Sequence, residues 1–295
     1  MSTENPTHHP ARLFVLLARQ APIGVILRRG PKDWVQMIKW HTDTDTFEAG
    51  QWLRGTVEEY QGDLSPDGNL FFYSFYNWRL NKALEMQNRQ TDKLLFYKAV
   101  SKTPYFTALT LWQGIDVPGG QFLDNTTLRL YTDAGLHPTR TVPQLNIVIE
   151  HLDINPYHIF ADNKDVFLTN NGWELFEKGV YTPGDSYNAS PYIWSKALGD
   201  FKLFTKYYGY IPDKKQGGAY NQLEYRYSIK GNSTQPLLDG VNWADFDQQG
   251  RLVLAKEGKL YAAALTNGEL QLTELADFNA NKPDPQPAPE WAQKW

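Results

Sequence analysis

The chain contains no cysteine, which excludes disulfides and thiolate metal centres and favours a reducing compartment. It has no large excess of one charge. Basic residues number 29 and acidic residues 33, for a net charge of −4 and a pI near 5.9, so nothing global attracts nucleic acid or an anionic membrane. No apolar run approaches the ~20 residues that a membrane-spanning helix needs. The opening stretch, MSTENPTHHPARLFVLLARQ, has no Lys or Arg before Arg12, and its apolar run from Leu13 stops at Arg19. That is not the form of a signal peptide, and a cytoplasmic location is expected. Also missing are a Gly-x-Ser-x-Gly elbow, a phosphate loop and a dinucleotide fingerprint. The GG pairs at 119–120 and 217–218 need only turn roles.

What the chain does have is aromatic side chains: 14% of 295 residues, with 10 Trp and 17 Tyr. These favour the half-buried surface of a sheet. The last third reads as four short strands joined by tight turns. VNWADFD (241–247), RLVLAK (251–256), KLYAAAL (259–265) and ELQLTEL (269–275) are separated by QQG, EG and the hairpin dipeptide Asn267-Gly268. The start has the same outline, with strands over 11–18, 23–29, 33–41 and 46–53 joined by QAP, GPK and DTDT.

Two distant segments share one spelling. In DLSPDGNLFFYSF (63–75) and DFDQQGRLVLA (245–255), an Asp is followed five residues on by Gly and seven on by Leu. Both follow a hairpin that ends in Leu-x-Gly, at Leu53–Gly55 and Leu238–Gly240. The outer hairpin of one unit thus leads into the inner hairpin of the next, and the Asp and Gly are assigned to the turn. A fainter copy, ADNKDVFLTNNGWELFEKG (161–179), reads as a hairpin turning at Asn171-Gly172. Residues 77–103 lack alternation and read as a short helix or an excursion beyond the rim. KYYGYIPDKKQGGAY (206–220) reads as a long exposed loop.

SPDGNLFFY (65–73) is similar to the strand–turn–strand of TolB-like and WD40-like β-propellers, and 241–275 resembles a whole blade of that kind. The chain also looks like uncharacterised bacterial propellers. The Trp-Asp dipeptide and Gly-His pair of WD40 repeats do not occur. The resemblance implies an all-β fold: one five- or six-bladed propeller of four-stranded antiparallel blades. The boundaries are a disordered leader over 1–10, the propeller over 11–278 and a proline-rich tail over 279–295, on the surface or disordered.

Chemistry is sparse. His151, Asp153 and His158 lie close in HLDINPYH and are the candidate ligands for a divalent metal, although their spacing matches no zinc motif and a surface or loop role is the favoured reading. His8 and His9 fall in the leader. Nothing selects among Asp116, Asp124, Asp162, Asp165, Glu174 and Asp185 as paired acids. SPDGNLFFY fails the Asp-box pattern of sialidase-type propellers. Asn125, Asn188 and Asn232 begin chance sequons. The candidate binding residues are therefore aromatic and basic: Arg28, Arg29, Lys32 and Trp34 at one turn, and Tyr207, Tyr208 and Tyr210 in the 206–220 segment. For the aromatics, packing between blades is the competing reading.

These observations add up to a binding or scaffold module that presents loops and a channel mouth to a protein partner. A lectin-like propeller, or a hydrolase with a carboxylate or His/Asp metal site at the channel, is the alternative. No cofactor is expected, no catalytic residue is singled out, and whether the protein is an enzyme stays open.

Overall fold

The computed structural model describes residues 10–30, 33–76, 96–114, 119–131, 135–137, 140–151, 166–181, 187–213, 218–230, 234–266 and 269–295. Burial in the first strand sets the geometry. Four successive residues of β1 (Arg12–Leu17) are buried, so both faces of the strand are covered. β2 (Ile23–Arg29), β3 (Trp34–His41) and β4 (Thr46–Arg54) follow as an antiparallel meander in sequence order. Burial falls from β2 through β3 to β4, which is largely exposed or half-buried. β1 therefore lies at the hub and β4 at the rim.

The second sheet repeats the plan with β5 (Thr56–Leu64), β6 (Leu70–Tyr76), β7 (Phe96–Lys102) and β8 (Thr110–Gly114). The third has three strands among the described residues: β9 (Gly120–Phe122), β10 (Thr127–Leu130) and β11 (Asn146–Ile149). β10 and β11 run parallel. In the fourth, β12 (Glu174–Glu177), β14 (Tyr187–Leu198), β15 (Phe201–Asp213) and β16 (Gly218–Ile229) pair in that order, and β13 (Val180–Tyr181) pairs with β14. The fifth is the meander β17 (Val241–Phe246), β18 (Leu252–Lys256), β19 (Lys259–Thr266) and β20 (Glu269–Asp277). Thr266 and Glu269 pair on either side of the Asn-Gly dipeptide.

The first strands of four sheets meet at the centre: β1 packs on β5, β17 and β18, and β5 packs on β9, while the fourth sheet reaches the fifth through β16 on β17. Five sheets so arranged make a five-bladed β-propeller, with three regular blades and two irregular ones in the middle of the chain. Among the described residues, no sheet combines strands from the two ends of the chain. The ring closes between the fifth and first sheets by packing and side-chain ties. Arg28 Nε donates to Phe278 O at 3.1 Å, Ala11 N donates to Asn279 Oδ1 at 2.9 Å, and Arg251 Nη1 meets Asp45 at 2.7 Å.

Three expectations change. Residues 206–220 are mostly not a loop, because β15 and β16 extend through them. The Tyr and Ile content of KYYGYI outweighs the Gly and Pro signals, and Pro212 sits in register with Ala219 near the hairpin tip. Residues 96–102 are strand rather than helix or excursion, while 77–95 lie outside the described residues. Of the two readings of the tail over 279–295, disorder is the one that changes: the segment lies on the surface, held by specific contacts. Asn281 bonds Gln36 of β3, Gln286 O accepts from Gln51 of β4, and Lys102 Nζ of β7 donates to Trp291 O and Lys294 O. Ala288 and Ala292 are buried along this strap, and Trp295 packs against a cluster containing Val100 and Trp112.

Candidate binding cleft at the mouth of the ring

The repeated turns gather at one end of the ring. In the first, Ser65 Oγ accepts from Leu70 N, Asp67 Oδ1 accepts from Asn69 N, and Gly68 N bonds Ser65 O. In the second, Asp247 Oδ1 accepts from Gln249 N and Arg251 N, and Gly250 N bonds Asp247 O. Gly68 and Gly250 have φ of 75° and 76°, the left-handed conformation that glycine adopts without strain. These turns are tied to their neighbours: Gln248 Nε2 donates to Ala18 O and Ile23 O, Gln20 N to Pro66 O, and Asp67 N to Asn125 Oδ1.

The repeated Asp residues do something other than the expected turn chemistry. Ser65, Asp67 and Asp247 are the turn acceptors. Asp63 and Asp245, near the ends of the inner strands β5 and β17, are buried and each joins two blades. Asp63 takes Arg19 of the β1–β2 turn at 3.0 Å and Phe122 N of β9 at 2.7 Å. Asp245 takes Lys196 of β14 at 2.7 Å and Trp173 Nε1 at 3.3 Å. Burial pushes the Asp63 carboxyl above its ordinary value, against the pull of Arg19 and the amide of Phe122.

The fainter repeat, 161–179, is the second correction at this site. Residues 166–170 are helical rather than strand, and 161–165 lie outside the described residues. Gly172 N bonds Thr169 O and Trp173 N bonds Leu168 O, with Gly172 at φ 78°. That is a Schellman stop, with buried Trp173 and Leu168 supplying its hydrophobic pair. The Asn-Gly signal is genuine, but it ends a helical turn. This turn fills the hub: the Phe167 ring lies 5.6 Å from Phe14 and 5.3 Å from Tyr60.

Above this plug lies a cleft of about 380 Å³, lined by Leu17, Arg19, Asn170, Lys196, Asp245 and Gln248, among others. Two much smaller voids beneath it share Asn171 with the cleft. Three polar groups of the lining are tied to their surroundings. Arg19 is bidentate on Asp63 and also donates to Phe122 O at 2.6 Å. Gln248 additionally bonds Thr42 at 3.0 Å. Asp247 is held by Arg251 at 2.7 Å.

The candidate binding residues are scattered relative to this cleft. Arg28 is buried, donates from Nε to Phe278 O and from Nη2 to Asn279 O, and lies 5.4 Å from the Trp52 ring. Arg29 pairs with Glu59 at 3.1 Å and donates to Val57 O. Both guanidinium groups thus tie blades together. Lys32 lies outside the described residues. Trp34 is half-buried at the start of β3 with Arg54 over its ring at 5.7 Å. Tyr207 is buried in β15. Tyr208 and Tyr210 belong to the same strand, with side chains outside the described residues. Of the candidate metal ligands, His151 is exposed, while Asp153 and His158 lie outside the described residues. The described residues contain no His, Asp or Glu group arranged to hold a metal ion. No helix among them is long and apolar enough to cross a membrane.

No protein-family model matches this chain, nor does any curated protein. Among solved structures, it is similar to the beta-propeller domain of the Trilobed protease from Pyrococcus furiosus. The likeness covers 89% of this chain and 84% of that one, at 9% identity and a TM-score of 0.27. A score this low carries no weight of its own. What makes the chain a propeller is the succession of five sheets in chain order and the packing of neighbouring sheets around a shared hub.

Proposed function

We propose that the protein is a non-catalytic binding module that seats a group protruding from a protein partner in the mouth cleft. The observation that carries this reading is the cleft itself, at about 380 Å³. That falls within the ~300–1,000 Å³ range of sites that enclose a small ligand or a side-chain-sized group. Its polar walls are already fixed by internal ion pairs, so little ordering cost remains at binding. The carboxylates around the mouth support binding over acid–base work. Asp63, Asp245 and Asp247 are each engaged by a cation and by donors from backbone or indole.

The test is Asn170→Trp, which places an indole at the half-buried rim of the cleft. A partner that copurifies with the wild type is identified and rebound from purified components by calorimetry. The variant should keep its thermal midpoint and bind at least about tenfold more weakly. Wild-type affinity in the variant would rule out the cleft as the contact surface.

A further inference from the structure

The charged groups that line the cleft balance on paper: Arg19 and Lys196 against Asp245 and Asp247. Exposure breaks the balance. The Arg19 and Lys196 side chains are 28% and 23% exposed, whereas those of Asp245 and Asp247 are 12% and 0% exposed. Asp63, which holds Arg19 from behind, is 6% exposed. The carboxylates form a back layer, and the ammonium and guanidinium stand in front of it. A ligand entering the cleft therefore meets donors first.

Lys196 commits one of its three donors to Asp245 at 2.7 Å, which leaves two to turn outward. Asn170 and Asn171 add amides at the same wall, and Leu17 and Phe246 add apolar surface for a carbon skeleton. Because the buried carboxylates fix both cations in place, binding an anion requires little rearrangement of the site.

We infer that the cleft takes a small organic anion bearing a carboxylate, which pairs with Lys196 and Arg19. This rests on the cleft being the binding surface. The carboxylate can belong to an acidic side chain of a partner protein or to an acidic sugar, and the two sources are separable. N-acetyl-L-glutamate amide represents the first and D-glucuronate the second; D-glucose is the neutral control.

The experiment titrates each probe into the 295-residue protein by NMR, comparing wild type, Asn170→Trp and the double variant Lys196→Met/Asp245→Asn. The double variant removes the cation together with its buried partner, so no unpaired carboxylate remains, and its thermal midpoint reports whether it still folds. A single carboxylate held this way should bind in the range of about 1 mM. Binding should weaken as salt rises to about 0.5 M and fall at least about tenfold in the double variant. Stronger binding by the glutamate derivative assigns a protein source, and stronger binding by glucuronate assigns a sugar, which keeps the anion and overturns the protein-partner reading. Glucose binding as well as the acids, in a manner blocked by Asn170→Trp, would overturn the anion and leave the cleft standing. Acid binding that survives the double variant would also overturn it. Probe binding that ignores Asn170→Trp, or no binding by any probe, would overturn both.

Discussion

A single carboxylate illustrates how closely this ring depends on charge at its seam. Asp45 accepts from Arg251 and from Trp40 Nε1, linking the fifth sheet to the first. The hydrogen bond from Arg251 is the main cause that holds its carboxyl below the ordinary value of 3.8. A depressed folded value means that Asp45 stabilises the fold fully above pH 3.8 and loses that contribution as pH falls through the lowered value. The pair is about a quarter exposed, so its worth is at most about 1 kcal/mol. Thermal midpoints followed downward from neutral pH should fall more steeply for wild type than for Asp45→Asn, and parallel curves would deny the seam this role. Asp63 contributes in the opposite sense. Its raised value favours the folded state below the ordinary carboxylate range, and that contribution is lost as pH rises through the folded value.

Among elements, the helical turn at 166–170 matters most to the cleft, because it forms the floor. Phe167 is buried among Phe14 and Tyr60. Phe167→Ala should cost about 3 kcal/mol, the usual scale for emptying an aromatic site in a packed core, as measured by denaturant unfolding. A loss well under 1 kcal/mol would mean that the hub does not depend on its plug. This element was also the hardest to read from sequence. NNG between apolar stretches fits a hairpin or a helix stop equally, and only tertiary contacts to Phe14 and Tyr60 decide between them. By contrast, β2 begins and ends where alternation and turn residues place it, and the meanders over 12–54 and 241–277 were legible throughout. The cleft was not, since Arg19, Lys196 and Asp245 are far apart in the chain and carry no motif. Its one visible trace was the Asp–Gly–Leu spelling. Spacing alone does not reveal that Asp63 and Asp245 point across to neighbouring blades instead of into their own turns.

At the scale of the whole molecule, the blades are unequal. The first, second and fifth contribute strands with runs of fully buried residues, while β11 and β12 present exposed Val148, Ile149, Leu175 and Phe176. Local opening costs least where few apolar contacts are buried. Amides of β11 and β12 should therefore exchange with solvent hydrogen faster than those of β2, β6 and β18, and uniform exchange around the ring would contradict this ranking. The strap over 279–295 adds an asymmetry in time. A ribosome makes residues in order, so the first two blades emerge well before Asn279, Gln286 and Trp291 exist to grip them. During translation the N-terminal half waits with its latch unmade, and the circle can be fastened only after the fifth blade and the strap have cleared the exit tunnel.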